Sequence, residues 1–310
     1  MLTMPLRVVL QLAHAVPAFS PTGVQLAALE ARLERQELVI THEDAEFLAA
    51  LPLADVAVVW RFAPAWYARA PRLRHLFTPS AGREPFAPDA EGRVLLHFGR
   101  FHGALMAESL VAMITFMNRR LGAALTAQAE RRWDRSPFSG CRRLTGQVAL
   151  IVGFGSIGQA CGRMLSALGL RVQGLRRDVT RPSPPGMSVF GPTQRLEALA
   201  GADHVVCVLP GDTSTDHWLD AEAFAQLKPS AVVYNLGRGN AIDPDALLCA
   251  LTEQRLAGAF LDVLPDEPLP SDSALWAAPN LYLTPHASAI SAEYLDLYFE
   301  ELASDLAQLP

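Results

Sequence analysis

The chain has 310 residues, of which half are hydrophobic and 19% charged, so it is globular and long enough for two domains. Its net charge of -6 argues against a general role in binding nucleic acid or an anionic membrane, so we expect a small-molecule partner. The four cysteines form no Cys-x-x-Cys pair and have no nearby histidine at metal-ligand spacing, which predicts buried thiols in a reducing compartment and no metal site.

The N-terminal stretch Met1–Phe19 is apolar and ends in Ala13-x-Ala15, as a secretory signal does. However, Arg7 is its only early charge and polar residues interrupt the apolar run, so we predict a first strand over Leu6–Leu12 instead. No apolar run reaches the roughly 18 residues that a membrane span needs. The sequence therefore predicts a cytoplasmic protein without a membrane partner.

Residues 6 to 98 alternate strand and helix signals, which predicts a small α/β domain with mostly parallel strands. The predicted strands are Leu6–Leu12, Val56–Trp60 and Leu73–Thr78, and the predicted helices are Thr22–Arg35 and Pro64–Ala70. A long helix is predicted over Phe101–Gly122; its apolar residues fill more than one stripe, as in a connector between domains or subunits, or in an ordinary core helix. Gln128–Arg143 is rich in arginine, contains Trp133, and is predicted to be an irregular surface segment.

The next stretch contains a glycine pattern. An apolar run leads directly into Gly153-Phe154-Gly155-Ser156-Ile157-Gly158, and a helix is predicted over Gln159–Leu170. A strand, a glycine-rich turn and a helix in this order are what a dinucleotide-binding turn requires. Gly153 allows the tight turn, Gly155 leaves no Cβ in front of a pyrophosphate, and Gly158 lets the helix lie close to the strand. The N-terminal amides of the helix would then meet the phosphates. A purely structural turn is the alternative interpretation.

Strand and helix signals alternate again after this turn. The predicted strands are Arg171–Leu175, Asp203–Leu209, Ala231–Leu236, Gly258–Asp262 and Leu281–Thr284, and the predicted helices are Thr193–Ala200, Ala221–Gln226 and Pro244–Leu256. Such continuous apolar strands are typical of a parallel sheet covered on both faces. Arg181–Pro192, with four prolines, is predicted to be a surface loop, and Ser291–Leu309 a closing amphipathic helix.

The end of the second strand in this sheet bears on the choice of coenzyme. An acidic residue there binds the ribose 2′-hydroxyl of NAD, whereas an arginine suits the 2′-phosphate of NADP. Arg176 stands at this acidic position and Arg177 follows it, and the forked donors of both fit a phosphate. Asp178 comes next and could turn inward to restore NAD binding, and a solvated arginine pair is a further alternative. The sequence predicts NADPH as coenzyme, with NADH possible.

Three segments, each at the end of a later strand, suit the reduction of a ketone by hydride: Asn235–Gly239, Asp262–Pro268 and Thr284–Ser288. This reaction needs a cation for the substrate, an acid for the developing alkoxide, and a group that keeps the acid protonated. Arg238 can bind the carboxylate of a 2-oxo acid in a forked pair. His286 has the side chain suited to proton transfer near pH 7, and Glu267 would orient it and favour the imidazolium. Taken singly, each segment also has a purely structural explanation.

Together these motifs resemble the D-isomer-specific 2-hydroxyacid dehydrogenase family, which includes glyoxylate/hydroxypyruvate reductases and phosphoglycerate dehydrogenase. The matching motifs are Ala107-Glu108, Trp133 ahead of Leu144-x-Gly146, the glycine turn, Leu209-Pro210 with Thr215, Asn235-x-x-Arg238-Gly239, Asp262-Val263 with Glu267-Pro268, and Pro285-His286. The resemblance implies two Rossmann-like α/β domains. A doubly wound coenzyme domain, residues 101–288, is inserted into a smaller flavodoxin-like substrate domain, residues 1–100, which the helix 289–310 completes. It also implies a homodimer formed through the coenzyme domain.

The resemblance also implies roles for single residues. Arg238, Glu267 and His286 form the catalytic set, with His286 as proton donor. The implied coenzyme-binding residues are Gly153, Phe154, Gly155, Ser156, Ile157, Gly158, Arg176, Arg177, Leu209, Pro210, Thr215, Leu236, Asp262 and Ser288. The turn Ser80-Ala81-Gly82 resembles the loop whose amides receive the substrate carboxylate, so the expected substrate-binding residues are Ala81, Gly82, Arg83, Trp60 and Arg238.

Three positions depart from the family pattern. Asp212 stands where threonine is common, Leu264 replaces an aromatic residue, and Arg83 replaces a smaller apolar residue. Arg83 is either a second cation for a diacid or phosphorylated substrate, or a side chain in solvent. The predicted function is NADPH-preferring reduction of small 2-oxo acids, such as glyoxylate and hydroxypyruvate, to D-2-hydroxy acids. The alternatives are an NAD(H)-sensing module like the corepressors on this scaffold, and an NAD-dependent phosphoglycerate-type dehydrogenase.

Overall fold

The computed structural model describes residues 5–33 and 35–309. The start of the signal-like stretch (residues 1–4) and Glu34, near the end of the first predicted helix, lie outside these ranges, as does Pro310. The chain divides into two compact units, Met1–His102 with Ile290–Pro310, and Gly103–Ala289. Each unit is built on one parallel sheet, which confirms the predicted α/β class.

The first unit contains a five-stranded parallel sheet in the order β2-β1-β3-β4-β5. Its strands are β1 (Arg7–Gln11), β2 (Glu37–Ile40), β3 (Val56–Val59), β4 (His75–Thr78) and β5 (Leu95–Phe98), and its first helices are α1 (Gly23–Arg32) and α2 (Asp44–Ala50). The strands β2 and β5 were not predicted. They are edge strands of only four residues, too short to show a strand periodicity, and none of their residues is buried.

The second unit contains a seven-stranded parallel sheet in the order β12-β11-β10-β9-β6-β7-β8. Its helices are α3 (His102–Asn118), α4 (Leu121–Ala129), α5 (Ser156–Ala167), α6 (Arg195–Gly201), α7 (Ala221–Gln226) and α8 (Pro244–Thr252), and its strands are β6 (Val148–Val152), β7 (Arg171–Leu175), β8 (Ser188–Phe190), β9 (His204–Cys207), β10 (Val232–Asn235), β11 (Gly258–Leu261) and β12 (Leu281–Leu283). The strand order reverses at β6, and this is the point at which doubly wound sheets bind their ligands.

Three predicted elements differ from the structure. The short helix predicted over Pro64–Ala70 is a 3₁₀ helix, Pro64–Arg69. The long helix predicted over Phe101–Gly122 ends at Asn118, and α4 starts after Arg120, which has a left-handed φ of 52°. A Cβ on Gly122 would lie 1.8 Å from the Tyr282 hydroxyl oxygen, so contact with β12 sets where the second helix runs. The predicted loop Arg181–Pro192 contains β8, an edge strand of three residues that is too short to show a periodicity.

The last helix, α9 (Tyr294–Leu306), belongs to the first unit. It packs on α1, and the Arg100 guanidinium lies 2.8 Å from an Asp305 carboxylate oxygen. Of the four cysteines that were predicted to be buried, Cys161 and Cys207 are buried, Cys141 is half-buried and Cys249 is exposed, so the prediction is wrong for Cys249. Within the described ranges, no helix has both the length and the apolarity that crossing a bilayer requires.

Candidate active site

The glycine turn joins β6 to α5 at the point where the strand order reverses. Gly153 has a φ of +93°, and a Cβ there would lie 2.3 Å from the Val208 carbonyl oxygen. A Cβ on Gly158 would lie 2.4 Å from the Gly153 carbonyl oxygen, so this glycine permits the close contact of helix and strand. A Cβ on Gly155 would meet no atom within 4 Å, so open space faces this residue.

The first turn of α5 suits a pyrophosphate. Gly155 is its N-cap and supplies no side-chain hydrogen bond, so the positive end of a 12-residue helix faces the open space beside Gly155. Ser156 is exposed at this end, whereas the Phe154 side chain is fully buried against Gly174, so only the backbone of Phe154 could contact a ligand. The residues present therefore fit the phosphates of a dinucleotide.

The end of β7 is bonded to the glycine turn. The Leu175 carbonyl oxygen accepts hydrogen bonds from the amides of Gly153 and Phe154 at 3.0 and 3.1 Å. Arg176 and Arg177 follow directly, so both lie beside the turn. Asp178 does not face it: its carboxylate accepts from the Thr180 amide and hydroxyl and lies 3.1 Å from the Arg181 Nε.

The loop after β9 forms the other side of the turn, because β6 lies between β7 and β9. Leu209 and Pro210 belong to this loop, and the buried Thr215 hydroxyl lies 2.7 Å from the Pro210 carbonyl oxygen, so Thr215 holds the loop closed. Asp212 accepts a hydrogen bond from the Ser214 amide at 2.9 Å, the capping contact that a threonine would also make. Hydrogen bonds from Ser214 and the charge of Arg177 lower the pKa of Asp212.

The catalytic pair predicted from the sequence is in contact. The His286 Nδ1 lies 2.8 Å from the Glu267 Oε2, and the Glu267 Oε1 accepts a hydrogen bond from the Leu264 amide at 3.0 Å. The His286 and Glu267 side chains are 49% and 38% exposed, so solvent and a small ligand can reach them. Because Nδ1 faces the carboxylate, Nε2 is the ring nitrogen left for a substrate.

Asp262 holds the loop that carries His286. Its buried carboxylate accepts hydrogen bonds from the Thr284 hydroxyl at 2.6 Å, the Ala287 amide at 2.8 Å and the Ser288 amide at 2.9 Å. Its backbone carbonyl oxygen accepts from the His286 amide at 2.8 Å. His286 itself has a left-handed φ of 52°, which is uncommon for a residue with a side chain. These four bonds therefore hold the histidine in an unusual backbone conformation.

From the sequence, Asp262 and Ser288 were expected only at the coenzyme, and this second role was not predicted. Two further residues, Ser109 and Asn235, shape the site although no role was predicted for them. The Ser109 hydroxyl of α3 donates to the Ser288 carbonyl oxygen at 2.7 Å. The Asn235 amide group donates to the Arg238 carbonyl oxygen at 2.9 Å and accepts from the Gly237 amide at 3.1 Å. The position of Asn235 at a strand end was the available signal, whereas nothing in the sequence around Ser109 indicated its contact.

Arg238 lies on the loop after β10, and that loop touches the one that carries Glu267. A Cβ on Gly239 would lie 1.9 Å from the carbonyl carbon of Leu264, so the two backbones are in direct contact. Leu264 is also the residue whose amide binds Glu267. The strands β10, β11 and β12 are neighbours and end together, with Asn235 opposite Leu261 and Leu261 opposite Leu283. The three predicted catalytic residues therefore share one edge of one sheet. Leu236, also on the β10 loop, is buried.

The predicted substrate residues of the first unit lie at the ends of β3 and β4. The Ser80 hydroxyl accepts a hydrogen bond from the Gly82 amide at 3.1 Å, whereas the Ala81 amide has no partner among residues 5–33 and 35–309. The exposed Arg83 guanidinium lies 5.1 Å from the centre of the Phe98 ring. The Trp60 indole N–H donates to the Phe19 carbonyl oxygen at 3.0 Å, so only its ring could contact a substrate.

The chain is similar in sequence to known dehydrogenases. Residues 111–288 match the family model described as D-isomer specific 2-hydroxyacid dehydrogenase, NAD binding domain. Glyoxylate/hydroxypyruvate reductase B of Pectobacterium carotovorum is 30% identical over 72% of this chain and 72% of its own length. D-3-phosphoglycerate dehydrogenase of Mycobacterium tuberculosis is 31% identical over 81% of this chain. The match covers 48% of that enzyme, so the chain spans about half the length of this relative.

The fold is also similar to a solved structure. The NADPH-dependent glyoxylate/hydroxypyruvate reductase of Sinorhizobium meliloti, in complex with NADP and sulfate, superimposes with a TM-score of 0.79 at 27% identity. That similarity covers 98% of this chain and 96% of the other.

Proposed function

Because the chain belongs to the D-isomer-specific 2-hydroxyacid dehydrogenase family, we propose that it reduces small 2-oxo acids to D-2-hydroxy acids. Glyoxylate and hydroxypyruvate are the substrates that we expect, with NADPH as the preferred coenzyme and NADH as a weaker one. The observation that carries this proposal is the contact between the His286 Nδ1 and the Glu267 carboxylate at 2.8 Å, on the same sheet edge as Arg238.

The residues of the second unit have separate tasks in this proposal. A bound nicotinamide coenzyme would supply the hydride. Arg238 binds the substrate carboxylate and polarises the carbonyl group through its forked donors. His286 donates the proton from Nε2 to the alkoxide oxygen, because Nδ1 is hydrogen-bonded to Glu267. Asp262 acts through His286 by holding its loop.

Two observations support NADPH as the preferred coenzyme. The residues after β7 are Arg176 and Arg177, where enzymes that use NAD have an acidic residue, and Asp178 faces Thr180 and Arg181. The similar reductase of Sinorhizobium meliloti is NADPH-dependent. We assign the phosphates to the glycine turn and the adenosine to the loop of Leu209, Pro210 and Thr215.

A panel of 2-oxo acids with NADPH and NADH tests the proposal. We expect turnover with glyoxylate and hydroxypyruvate, and a higher kcat/KM with NADPH than with NADH. His286→Ala should lose most of this turnover while its affinity for NADP⁺ stays within about twofold of the wild type, because the side chain acts in proton transfer. A wild-type protein that binds the coenzyme but turns over no 2-oxo acid would instead be a nucleotide sensor. Normal turnover in His286→Ala would exclude His286 as proton donor.

A phosphorylated substrate is a second candidate. The similar D-3-phosphoglycerate dehydrogenase of Mycobacterium tuberculosis supports it, as does Arg83, a cation on the loop after β4. We expect 3-phosphohydroxypyruvate to serve as a substrate only if Arg83 binds its phosphate. Arg83→Ala would then raise the KM for this substrate and leave the KM for glyoxylate unchanged. Equal effects on both substrates would exclude this role.

We also infer a homodimer formed through the second unit. The segment after α3 exposes large apolar side chains: Leu121 is 40% exposed, Leu125 58% and Trp133 91%. Surfaces of this kind are typical of contacts between subunits. Light scattering should give twice the mass of the chain, and Trp133→Ala should shift the equilibrium toward the monomer. Trp276→Ala is the control, because Trp276 is 58% exposed in another part of the unit. A monomeric wild type contradicts this inference.

A further inference from the structure

We propose that Arg177, and not Arg176, binds the 2′-phosphate of the coenzyme and determines its selectivity. This proposal rests on the NADPH preference proposed above and gives the two arginines different roles. The sequence places Arg176 at the acidic position of enzymes that use NAD, and Arg177 follows it with the same charge. Their surroundings are different.

The Arg176 guanidinium is already occupied by its own loop. Its Nη2 lies 3.0 Å from the Ser183 hydroxyl and 3.3 Å from the Pro182 carbonyl oxygen, and it also donates to the carbonyl oxygen of Arg181. Its Nη1 lies 3.3 Å from the same Pro182 oxygen. Nη1 and Nη2 are therefore bonded to neutral acceptors, whose partial negative charges would also repel an anion, and Nε is buried without a partner in the described part of the chain, out of reach of a ligand. Arg176 is a positioning residue that holds the loop 181–183 against β7.

Arg177 has no such bonds. Its side chain is exposed, and it makes no hydrogen bond or ion pair with any other residue in the described ranges. Its charge acts on the Asp212 carboxylate, on the loop after β9, and contributes to the lowered pKa of that group. Since β6 lies between β7 and β9, Arg177 and Asp212 stand on either side of the strand that carries the glycine turn. The guanidinium can therefore turn toward a phosphate there without breaking an existing bond.

The two neighbouring charges bear on this assignment. Arg181 is 75% exposed and its Nε is paired with an Asp178 oxygen at 3.1 Å, so part of its fork is in use. The Asp212 carboxylate accepts from the amide and hydroxyl of Ser214, and its negative charge acts against a phosphate that binds near Arg177. Arg177 is therefore the cation that binds the 2′-phosphate, and the negative charge of Asp212 weakens the binding of that phosphate.

Calorimetric binding of 2′,5′-ADP and 5′-AMP to the full-length protein tests the assignment without a catalytic readout. These two nucleotides differ only by the 2′-phosphate. Arg177→Ala should weaken 2′,5′-ADP binding by about tenfold or more, as the loss of a charge-assisted fork predicts, and change 5′-AMP binding by less than about twofold. Arg177→Lys, which keeps the charge and loses the fork, should lie between these limits. Asp212→Asn should strengthen 2′,5′-ADP binding selectively.

Arg176→Ala is the matched control, since it removes the same charge one residue away. It should change the affinities for both nucleotides by the same factor, because it alters the loop and not a phosphate contact. The assignment is overturned if Arg177→Ala keeps the ratio of the two affinities or if Arg176→Ala lowers that ratio more. A wild-type protein that binds both nucleotides equally would instead refute the NADPH preference itself.

Discussion

Replacing Glu267 by glutamine tests the catalytic geometry directly. The carboxylate accepts two hydrogen bonds, from the Leu264 amide at 3.0 Å and from the His286 Nδ1 at 2.8 Å. A glutamine has one acceptor oxygen and one N–H₂ group. If its oxygen keeps the Leu264 amide, its N–H₂ group faces Nδ1, which must then accept a hydrogen bond and cannot carry a proton. Glu267→Gln therefore loses the hydrogen bond in which the His286 Nδ1 donates to a carboxylate.

The expected loss follows from the strength of this contact. A hydrogen bond to a charged group contributes about 1.5 to 3 kcal/mol, and each 1.4 kcal/mol changes a rate tenfold. The His286 and Glu267 side chains are 49% and 38% exposed, so solvent screens the charge and favours the lower half of that range. We therefore expect kcat to fall by about 10- to 30-fold, with the affinity for NADPH unchanged.

The assay is the steady-state reduction of glyoxylate with NADPH, with NADPH binding measured separately. Asp266→Asn is the matched control, because it removes the same charge from the neighbouring residue, which is exposed. Its kcat should stay within about twofold of the wild type, as for most surface substitutions. The reasoning is refuted if Glu267→Gln keeps a wild-type kcat, or if Asp266→Asn loses as much activity as Glu267→Gln.

Two further predictions concern stability. Asp262→Asn turns one buried acceptor into a donor that faces an N–H such as that of Ser288. The free energy of unfolding, measured in urea, should therefore fall by about 2 to 3 kcal/mol. An unchanged urea midpoint would contradict the role of Asp262. Burial lowers the pKa of His204, which lies between Gln147 and Tyr234, to about 4. The ordinary histidine pKa is about 6.5, so between pH 6.5 and pH 4 the imidazole of His204 is neutral in the folded protein and takes up a proton when the chain unfolds. The stability that depends on a neutral His204 is therefore fully present above pH 6.5 and is lost as the pH falls toward 4. Between pH 7 and pH 4, the free energy of unfolding should fall by about 3 kcal/mol less in His204→Gln than in the wild type. Equal falls in the variant and the wild type would contradict this.

The sequence determined the features that depend on local chemistry. Gly153 needs a left-handed φ and Gly158 needs the absence of a Cβ, and a glycine pattern between an apolar run and a helix expresses both requirements. The central buried strands were also predictable, since most of them are continuous apolar runs. The partners Glu267 and His286 were predicted from the motifs that they share with a known family, and the structure brings the two side chains together.

Only the tertiary structure decided which of several equivalent residues does what. The course of α4 depends on the contact of Gly122 with Tyr282, far along the chain, and the short edge strands exist because a neighbouring strand pairs with them. Arg176 and Arg177 differ because the carbonyl groups of a later loop bind one guanidinium and leave the other. The type of a residue determines which hydrogen bonds and ion pairs its side chain can make. Which of them it makes depends on groups that are distant in sequence, and these come within bonding distance only when the chain folds.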